Sequence, residues 1–196
     1  NLGTNSVVAQ LLAGKVPVLA ASDLYLNEHR EYGLSTYSLH SDGSGVCYSS
    51  RLRPILNMRP KYRHWLSPSL WQLNADLHLT DWLEEKNLDF DVVTDEDLHI
   101  EGVDMLNRYR CVLTGSHPEY SSEKMLAAYE SYQLNGGRWI YLGSDGFYWV
   151  SEYHPDNTNI IEVRKGEAGT RAWTANPGEY NNAFDGKFGG MWRARG

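Results

Sequence analysis

The chain has 196 residues, enough for one folded domain with a sizeable buried core. Apolar residues make up 41% and charged residues 22%, which is typical of a globular protein and excludes a disordered or fibrous chain. The net charge of −7 argues against a general nucleic-acid binder, which needs a basic face, and the longest apolar runs are far too short to span a membrane.

The two cysteines, Cys47 and Cys111, form neither a disulfide framework nor a zinc-binding pattern. Cys111 opens an apolar run, which predicts a buried thiol. Reduced thiols favour a cytoplasmic protein. Because the chain starts at Asn1 without Met and ends at Gly196 without an obvious terminator, we expect a piece of a longer polypeptide.

The first predicted elements are a short helix at Val7–Leu12 and a buried strand at Lys15–Ala21. The polar stretch Ser22–Ser50 shows no periodicity, which favours a long functional loop region. Apolar side chains then recur at helical spacing over Leu73–Lys86, which predicts a helix.

Alternating elements follow in the middle of the chain. Strands are predicted at Phe90–Val93, Tyr109–Thr114 and Arg138–Leu142. A helix is predicted to start after Ser121 or Ser122 as the cap and to end before Gly136–Gly137. This alternation predicts an α/β fold with a parallel sheet and helices on both faces.

The pattern changes after residue 150, so residues 1–150 are predicted to form an α/β domain that carries the site. Residues 151–196 are predicted to be an irregular segment that packs on this domain and continues in a longer protein. A strand is still possible at Ile160–Val163, although Gly, Asn and Pro dominate afterwards.

Ligands of open parallel sheets gather beyond the carboxyl ends of the strands. Three segments rich in reactive side chains follow predicted strands here, namely Ser22 onward, Thr114–Tyr120 and Gly143–Trp149. We therefore expect these three segments to form a site.

His117 and Glu119 flank Pro118 in the second of these segments. Proline makes the turn stiff, as a catalytic group or a metal ligand requires. Imidazole and carboxylate both suit acid–base catalysis and metal binding. From spacing alone, Glu119 is equally well explained by favourable placement before a helix N-terminus.

Two other segments have a possible chemical use. Asp145 lies in the glycine-rich Gly143–Trp149, where the backbone allows a ligand to approach closely, although a plain turn fits as well. The tyrosines of Glu31–Tyr37 can bind ferric iron as tyrosinates, but their spacing does not require it. Asp95–Asp97 lacks the pattern of a calcium loop and is better explained as a helix cap or a solvated loop.

Several ordered motifs together resemble the C-terminal region of the N,N-dimethylformamidase large (beta) subunit family. The matching stretches are Tyr32–Tyr37, His40–Gly45, Tyr48–Pro54, Asp91–His99, Leu113–Tyr120, Gly136–Arg138, Gly146–Trp149 and Gly169–Trp173. The resemblance covers the chain from about Val16 to its end.

The resemblance implies a flavodoxin-like or glutamine-amidotransferase-like domain with a mononuclear ferric iron held by two tyrosines and one glutamate. Glu119 matches the carboxylate ligand, and Tyr37 is our choice for one tyrosine, with Tyr32 as its competitor. Tyr25 is our choice for the other tyrosine. His117 matches a supporting or catalytic histidine. Asp145 is predicted to line the pocket, at a position where the family has Asn.

The leading hypothesis is therefore an iron-dependent amidohydrolase that cleaves an N-substituted formamide or a related small amide. The resemblance also implies a small partner subunit and a homo-oligomer. The alternative is a non-catalytic α/β domain for ligand binding or subunit assembly, in which the aromatic residues Phe147–Trp149 pack against a partner.

Overall fold

The computed structural model describes residues 21–56, 58–63, 70, 72–166 and 173–195. The predicted helix at Val7–Leu12 lies outside this part, as does the predicted strand at Lys15–Ala21 except for Ala21, which begins a helix. Among the helices of the described part, none combines the length and the apolar character that crossing a bilayer requires.

Six helices and seven strands are described, with one 3₁₀ turn at Arg30–Tyr32. The helices are α1 (Ala21–Glu28), α2 (Leu73–Glu85), α3 (Asp95–Glu101), α4 (Val103–Leu106), α5 (Glu123–Leu134) and α6 (Trp192–Arg195). The strands are β1 (Tyr48–Ser50), β2 (Cys111–Leu113), β3 (Tyr120–Ser121), β4 (Arg138–Ile140), β5 (Trp149–Val150), β6 (Glu152–His154) and β7 (Asn157–Glu162).

Two short parallel pairs form the centre of the α/β part, β2 with β4 and β3 with β5. Helix α5 lies between the two strands of each pair in sequence, as a parallel connection requires. The register of the second pair sets Tyr120 opposite Trp149. This pairing places the segment before β3 beside the segment before β5, although the two are far apart in sequence.

The helices α3, α4 and α5 enclose one hydrophobic core. Its buried members are Leu98, Met105, Leu106, Met125, Ala128 and Tyr132. The prediction of α5 is confirmed, since Ser122 Oγ accepts a hydrogen bond from Met125 N at 3.3 Å and so caps the helix. The predicted helix over Leu73–Lys86 is also confirmed as α2, which ends one residue earlier.

The predicted strand at Phe90–Val93 is wrong, because these residues pair with no strand of the described part. The helix α3 starts directly after them instead. Thr94 Oγ1 accepts from Asp97 N at 3.2 Å, and the Asp97 carboxylate accepts from Thr94 N at 2.9 Å. The acidic cluster is therefore a helix cap, as one of the two predicted explanations had it.

The predicted loop Ser22–Ser50 is more ordered than expected, because it contains α1, the 3₁₀ turn and β1. Residues 151–196 are likewise less irregular than predicted. They supply β6 and β7, which form an antiparallel sheet with β1 in the order β1-β7-β6. The predicted strand at Ile160–Val163 is confirmed as part of β7, which starts earlier and ends at Glu162.

A buried carboxylate joins this sheet to the C-terminal segment. Glu162 is fully buried and accepts hydrogen bonds from the backbone N–H groups of Ala183 (2.8 Å) and Phe184 (3.0 Å). The Arg164 guanidinium neutralises it at 2.6 Å. Since every partner is charged or a backbone donor, the charge is satisfied without water.

Candidate active site

Two loops run side by side at the carboxyl ends of β2 and β4. We call residues 114–119 the site loop and residues 141–148 the facing loop. Backbone hydrogen bonds join the site loop to the facing loop and to β5: Ser144 N to Ser116 O (3.3 Å), Phe147 N to Pro118 O (2.8 Å), Tyr148 N to Glu119 O (3.0 Å) and Trp149 N to Glu119 O (2.9 Å). The site loop is therefore fixed along one side by the chain that follows β4.

The two loops come close together at Gly143. A Cβ atom at this position would lie 2.2 Å from Pro118 Cδ, well inside van der Waals contact. Only glycine leaves the space that the proline ring occupies. Pro118 separates the two reactive side chains of the site loop, so this contact bears directly on their placement.

Glu119 is the central carboxylate of the site. Its Oε2 lies 3.3 Å from His117 Nε2, and its Oε1 accepts a hydrogen bond from Trp149 Nε1 at 3.0 Å. Burial acts to raise the pKa of Glu119, but the hydrogen bond with His117 and the charge of Lys165 outweigh it, so the pKa lies below its ordinary value. Glu119 is thus an ionised carboxylate held in one orientation.

The contact with Glu119 also changes the pKa of His117. The hydrogen bond with Glu119 raises the pKa of His117 above its ordinary value, although burial opposes this. The negative charges of Asp145 and Asp76 act in the same direction as Glu119. His117 is therefore suited to hold a proton beside the carboxylate.

Lys165, which the sequence did not single out, lies at the centre of the site. It is fully buried, and its Nζ lies 3.4 Å from the centroid of the Tyr37 ring and 4.9 Å from that of Trp149. Nζ also donates a hydrogen bond to the Tyr120 hydroxyl. Burial lowers the pKa of Lys165 to about 7, while the charge of Glu119 limits the fall.

Tyr37 reaches the site from the segment between the 3₁₀ turn and β1. Its side chain interacts with those of Tyr120 and Trp149. Burial, together with the negative charge of Glu119, raises the pKa of Tyr37 to about 12. The same two causes, in the same order, raise the pKa of Tyr120 well above its ordinary value. Both phenols are therefore neutral at pH 7 unless a metal ion binds them.

Tyr25 has a different set of contacts. Its hydroxyl lies 3.2 Å from that of Tyr32, and its ring packs on His29 with centroids 4.1 Å apart. The side chain is 41% exposed. Of the predicted site residues, the structure thus brings together Tyr37, His117, Glu119 and Asp145, while Tyr25 contacts Tyr32 and His29.

Asp145 lies on the facing loop and has an exposed side chain. Its φ of +50° is in the left-handed region, and Gly146 follows it in the turn. The aromatic residues after it do not form an exposed strip. Trp149 is 1% exposed and donates to Glu119, and Phe147 packs against the stacked rings of Trp139 and Tyr129. The observation on which the assembly alternative relied is therefore better explained by packing within the chain.

The donor chemistry of the site suits a hard cation. Tyr37 and Glu119 offer a phenol and a carboxylate, and the charge of Glu119 acts on Tyr37; the Lys165 amino group lies over the Tyr37 ring, so a positive charge already fits this place when Lys165 is protonated. Within the described ranges no three His, Cys, Asp or Glu side chains form a metal site. A metal here would accordingly need phenolate ligands.

Comparison with known proteins identifies the family. The family described as "N,N-dimethylformamidase beta subunit-like, C-terminal" matches residues 18–196 of the chain. The chain belongs to this N,N-dimethylformamidase beta subunit-like family. The expected family resemblance is thereby confirmed, and the site loop, the facing loop, Tyr37 and Lys165 all lie inside the matched region.

Two curated relatives of the dimethylformamidase family share about half of their residues with the chain. The N,N-dimethylformamidase beta subunit of Paracoccus aminophilus is 49% identical over 189 residues, and that of an Alcaligenes species is 48% identical over 189 residues. Each match covers 96% of this chain and 24% of the relative. The chain therefore spans about a quarter of the length of these relatives.

Proposed function

We propose that this chain carries the catalytic centre of an amidohydrolase that cleaves an N-substituted formamide, or a related small amide, into an amine and a carboxylate. The activity named for the two relatives supports the reaction class. The observation that carries the proposal is the group formed by the half-buried Tyr37 and Glu119 and the buried Lys165, with His117 on the same carboxylate. Oxygen ligands and a proton carrier in one site are what metal-assisted amide hydrolysis needs.

Tyr37 and Glu119 would hold a mononuclear ferric iron, with Tyr25 as the proposed third oxygen donor. When bound, the metal would supply Lewis acidity toward the amide carbonyl. Trp149 fixes Glu119 through its indole N–H, so that the carboxylate presents its free lone pairs in a constant direction.

His117 is the proposed proton carrier. Its Nε2 lies against Glu119 and its pKa is raised, so the ring holds a proton that it can give to the leaving amine. Asp145 lies in the electrostatic neighbourhood of His117 on an exposed part of the facing loop. We place it at the entrance, where a carboxylate accepts a hydrogen bond from the N–H group of a monosubstituted amide or of the released amine.

The change Glu119→Gln tests the proposal in the protein expressed with all of its natural sequence. It removes a charged ligand while keeping the shape of the side chain. Iron content and the tyrosinate-to-iron absorption band should therefore both decrease, and the rate of formamide hydrolysis should fall by more than about 100-fold. Glu123→Gln, an exposed carboxylate in the first turn of α5, is the matched control and should change none of the three.

Wild-type protein that contains no iron, shows no such band and yet hydrolyses formamides would contradict the metal assignment. Wild-type protein with no hydrolysis of any small amide would contradict the proposed reaction.

We also propose that the chain works within an assembly that includes a small partner subunit and further copies of itself. Both relatives are named as a beta subunit. An exposed apolar run supports a covering partner: Ile140, Tyr141 and Leu142 are 44%, 44% and 46% exposed in succession. Three adjacent apolar side chains are an unusual surface for an isolated domain.

A further inference from the structure

Asp76 reaches the site loop from a part of the chain that the proposed chemistry does not use. It lies in the first turn of α2, and its Oδ1 accepts a hydrogen bond from the backbone N–H of Ser116 at 2.6 Å. The donor is the residue directly before His117. A charged acceptor makes this one of the stronger kinds of hydrogen bond.

Gly115 makes room for the Asp76 carboxylate. A Cβ at Gly115 would lie 3.1 to 3.3 Å from both carboxylate oxygens and from the carbon between them, tighter than ordinary contact. The lack of a side chain therefore lets Asp76 come close to the backbone of the site loop. Gly115 provides the space and Asp76 provides the acceptor for the contact between α2 and the site loop.

The other backbone anchors of the site loop come from β4, the facing loop and the start of β5. Thr114 N donates to Ile140 O, and the carbonyl oxygens of Ser116, Pro118 and Glu119 accept hydrogen bonds from the chain that follows β4. Asp76 binds a further N–H group of the loop, and it does so from α2. Asp76 forms no ion pair within the described ranges, so a surface salt bridge does not explain its position.

We propose that Asp76 is a positioning residue of the active site: by holding the Ser116 amide it fixes the direction in which His117 and Glu119 present their side chains. This inference rests on the proposed function for its catalytic consequence, but the anchoring itself does not depend on any activity. Small displacements of such groups cost large factors in rate, because the reacting atoms must meet in one geometry.

The test compares Asp76→Ala, Asp76→Asn and the matched control Asp81→Ala, which removes an exposed carboxylate from the same helix. All three are made in the protein with its complete natural sequence. Hydrogen–deuterium exchange over residues 114–120 reports on the anchor without any substrate. Exchange at Ser116 should become at least about tenfold faster in D76A, stay near the wild-type rate in D76N, which keeps an acceptor oxygen, and be unchanged in D81A.

Kinetics with an N-substituted formamide report on the catalytic consequence. We expect kcat to fall at least about tenfold in D76A with little change in KM, and D76N to recover most of the loss. Unchanged exchange at Ser116 in D76A would overturn the anchor. Faster exchange with unchanged kcat would overturn its catalytic role. An inactive wild type would refute the proposed function, whereas the exchange result would still decide the anchor.

Discussion

At the scale of single residues, Lys165 is the most unusual side chain of the site. A buried ammonium group needs compensation, and here it comes from the faces of aromatic rings and from one hydroxyl. Lys165 also helps to keep Glu119 ionised, because its charge lowers the pKa of that carboxyl. We therefore expect Lys165 to lower the stability of the fold while its charge supports the ionised Glu119 in the site.

Lys165→Met separates these two effects. Met has a similar shape without the charge, so activity should fall at least about tenfold while the free energy of unfolding stays unchanged or rises by about 1 kcal/mol or more. Chemical denaturation and hydrolysis rates measured on the same samples check this. Lys86→Met, at an exposed lysine just after α2, should leave both quantities unchanged. Loss of stability together with activity would mean that Lys165 serves the fold alone.

Sequence reasoning selected His117 and Glu119 because both follow a predicted strand and flank a proline. It missed Lys165, since that residue lies far along the chain in a stretch without a recognisable motif. Its only signal was its position shortly after the end of β7 at Glu162. Distance in sequence hides such a contact, because the fold alone brings β7 and the site loop together.

At the scale of secondary-structure elements, one polar contact joins α3 to α5. His99 Nδ1 lies 2.8 Å from Ser122 Oγ, the hydroxyl that caps α5, and its ring packs on Tyr153. Burial lowers the pKa of His99 to about 4, and the charge of Lys124 adds to this. The two helices are therefore joined by a histidine that stays neutral at pH 7.

This contact predicts a pH dependence of stability. The pKa of His99 lies below the 6.5 of an ordinary histidine, so the unfolded chain takes up the proton first as the pH falls. The stabilisation is complete above pH 6.5 and is lost between about 6.5 and 4, by about 3 kcal/mol in total. Urea unfolding at several pH values should show this loss in the wild type and a much smaller one in His99→Gln.

The exposed His78 on α2 provides the control, and His78→Gln should keep the wild-type pH profile. Equal profiles for wild type and His99→Gln would contradict the assignment.

The elements themselves were predictable where local signals were strong. Helices α2 and α5 have helical apolar spacing, and α5 has a serine cap, so local sequence decides them. Phe90–Val93 has the composition of a strand but no partner strand in the described part, and a strand needs hydrogen bonds from a neighbour. Pairing is a property of the whole fold, which composition cannot supply.

At the scale of the whole molecule, one exposed apolar run bears on the proposed assembly. The run Ile140–Leu142 begins with the last residue of β4, and its three residues are all exposed in the described structure. A charge at Leu142 should therefore weaken association in the complete natural protein. We expect Leu142→Glu to lower the mass measured by light scattering and Leu134→Glu, at an isolated side chain that is 81% exposed, to leave it unchanged.

A monomeric wild type, or an unchanged mass in Leu142→Glu, would contradict this surface as the interface. The parallel sheet with helices on both faces stays a proposal at this scale, because the described strands form separate two-stranded pairs and one antiparallel sheet.

The contact between Gly143 and Pro118 has a practical consequence for laboratory evolution of this site. A library that randomises Gly143 would mostly return misshapen proteins, since any side chain there overlaps the proline ring. Two positions along, Asp145 has an exposed side chain and borders the same site. Substitutions that aim at new amide substrates are best made at Asp145. Gly143 and Pro118 should be kept, so that every variant retains the close contact between the two loops.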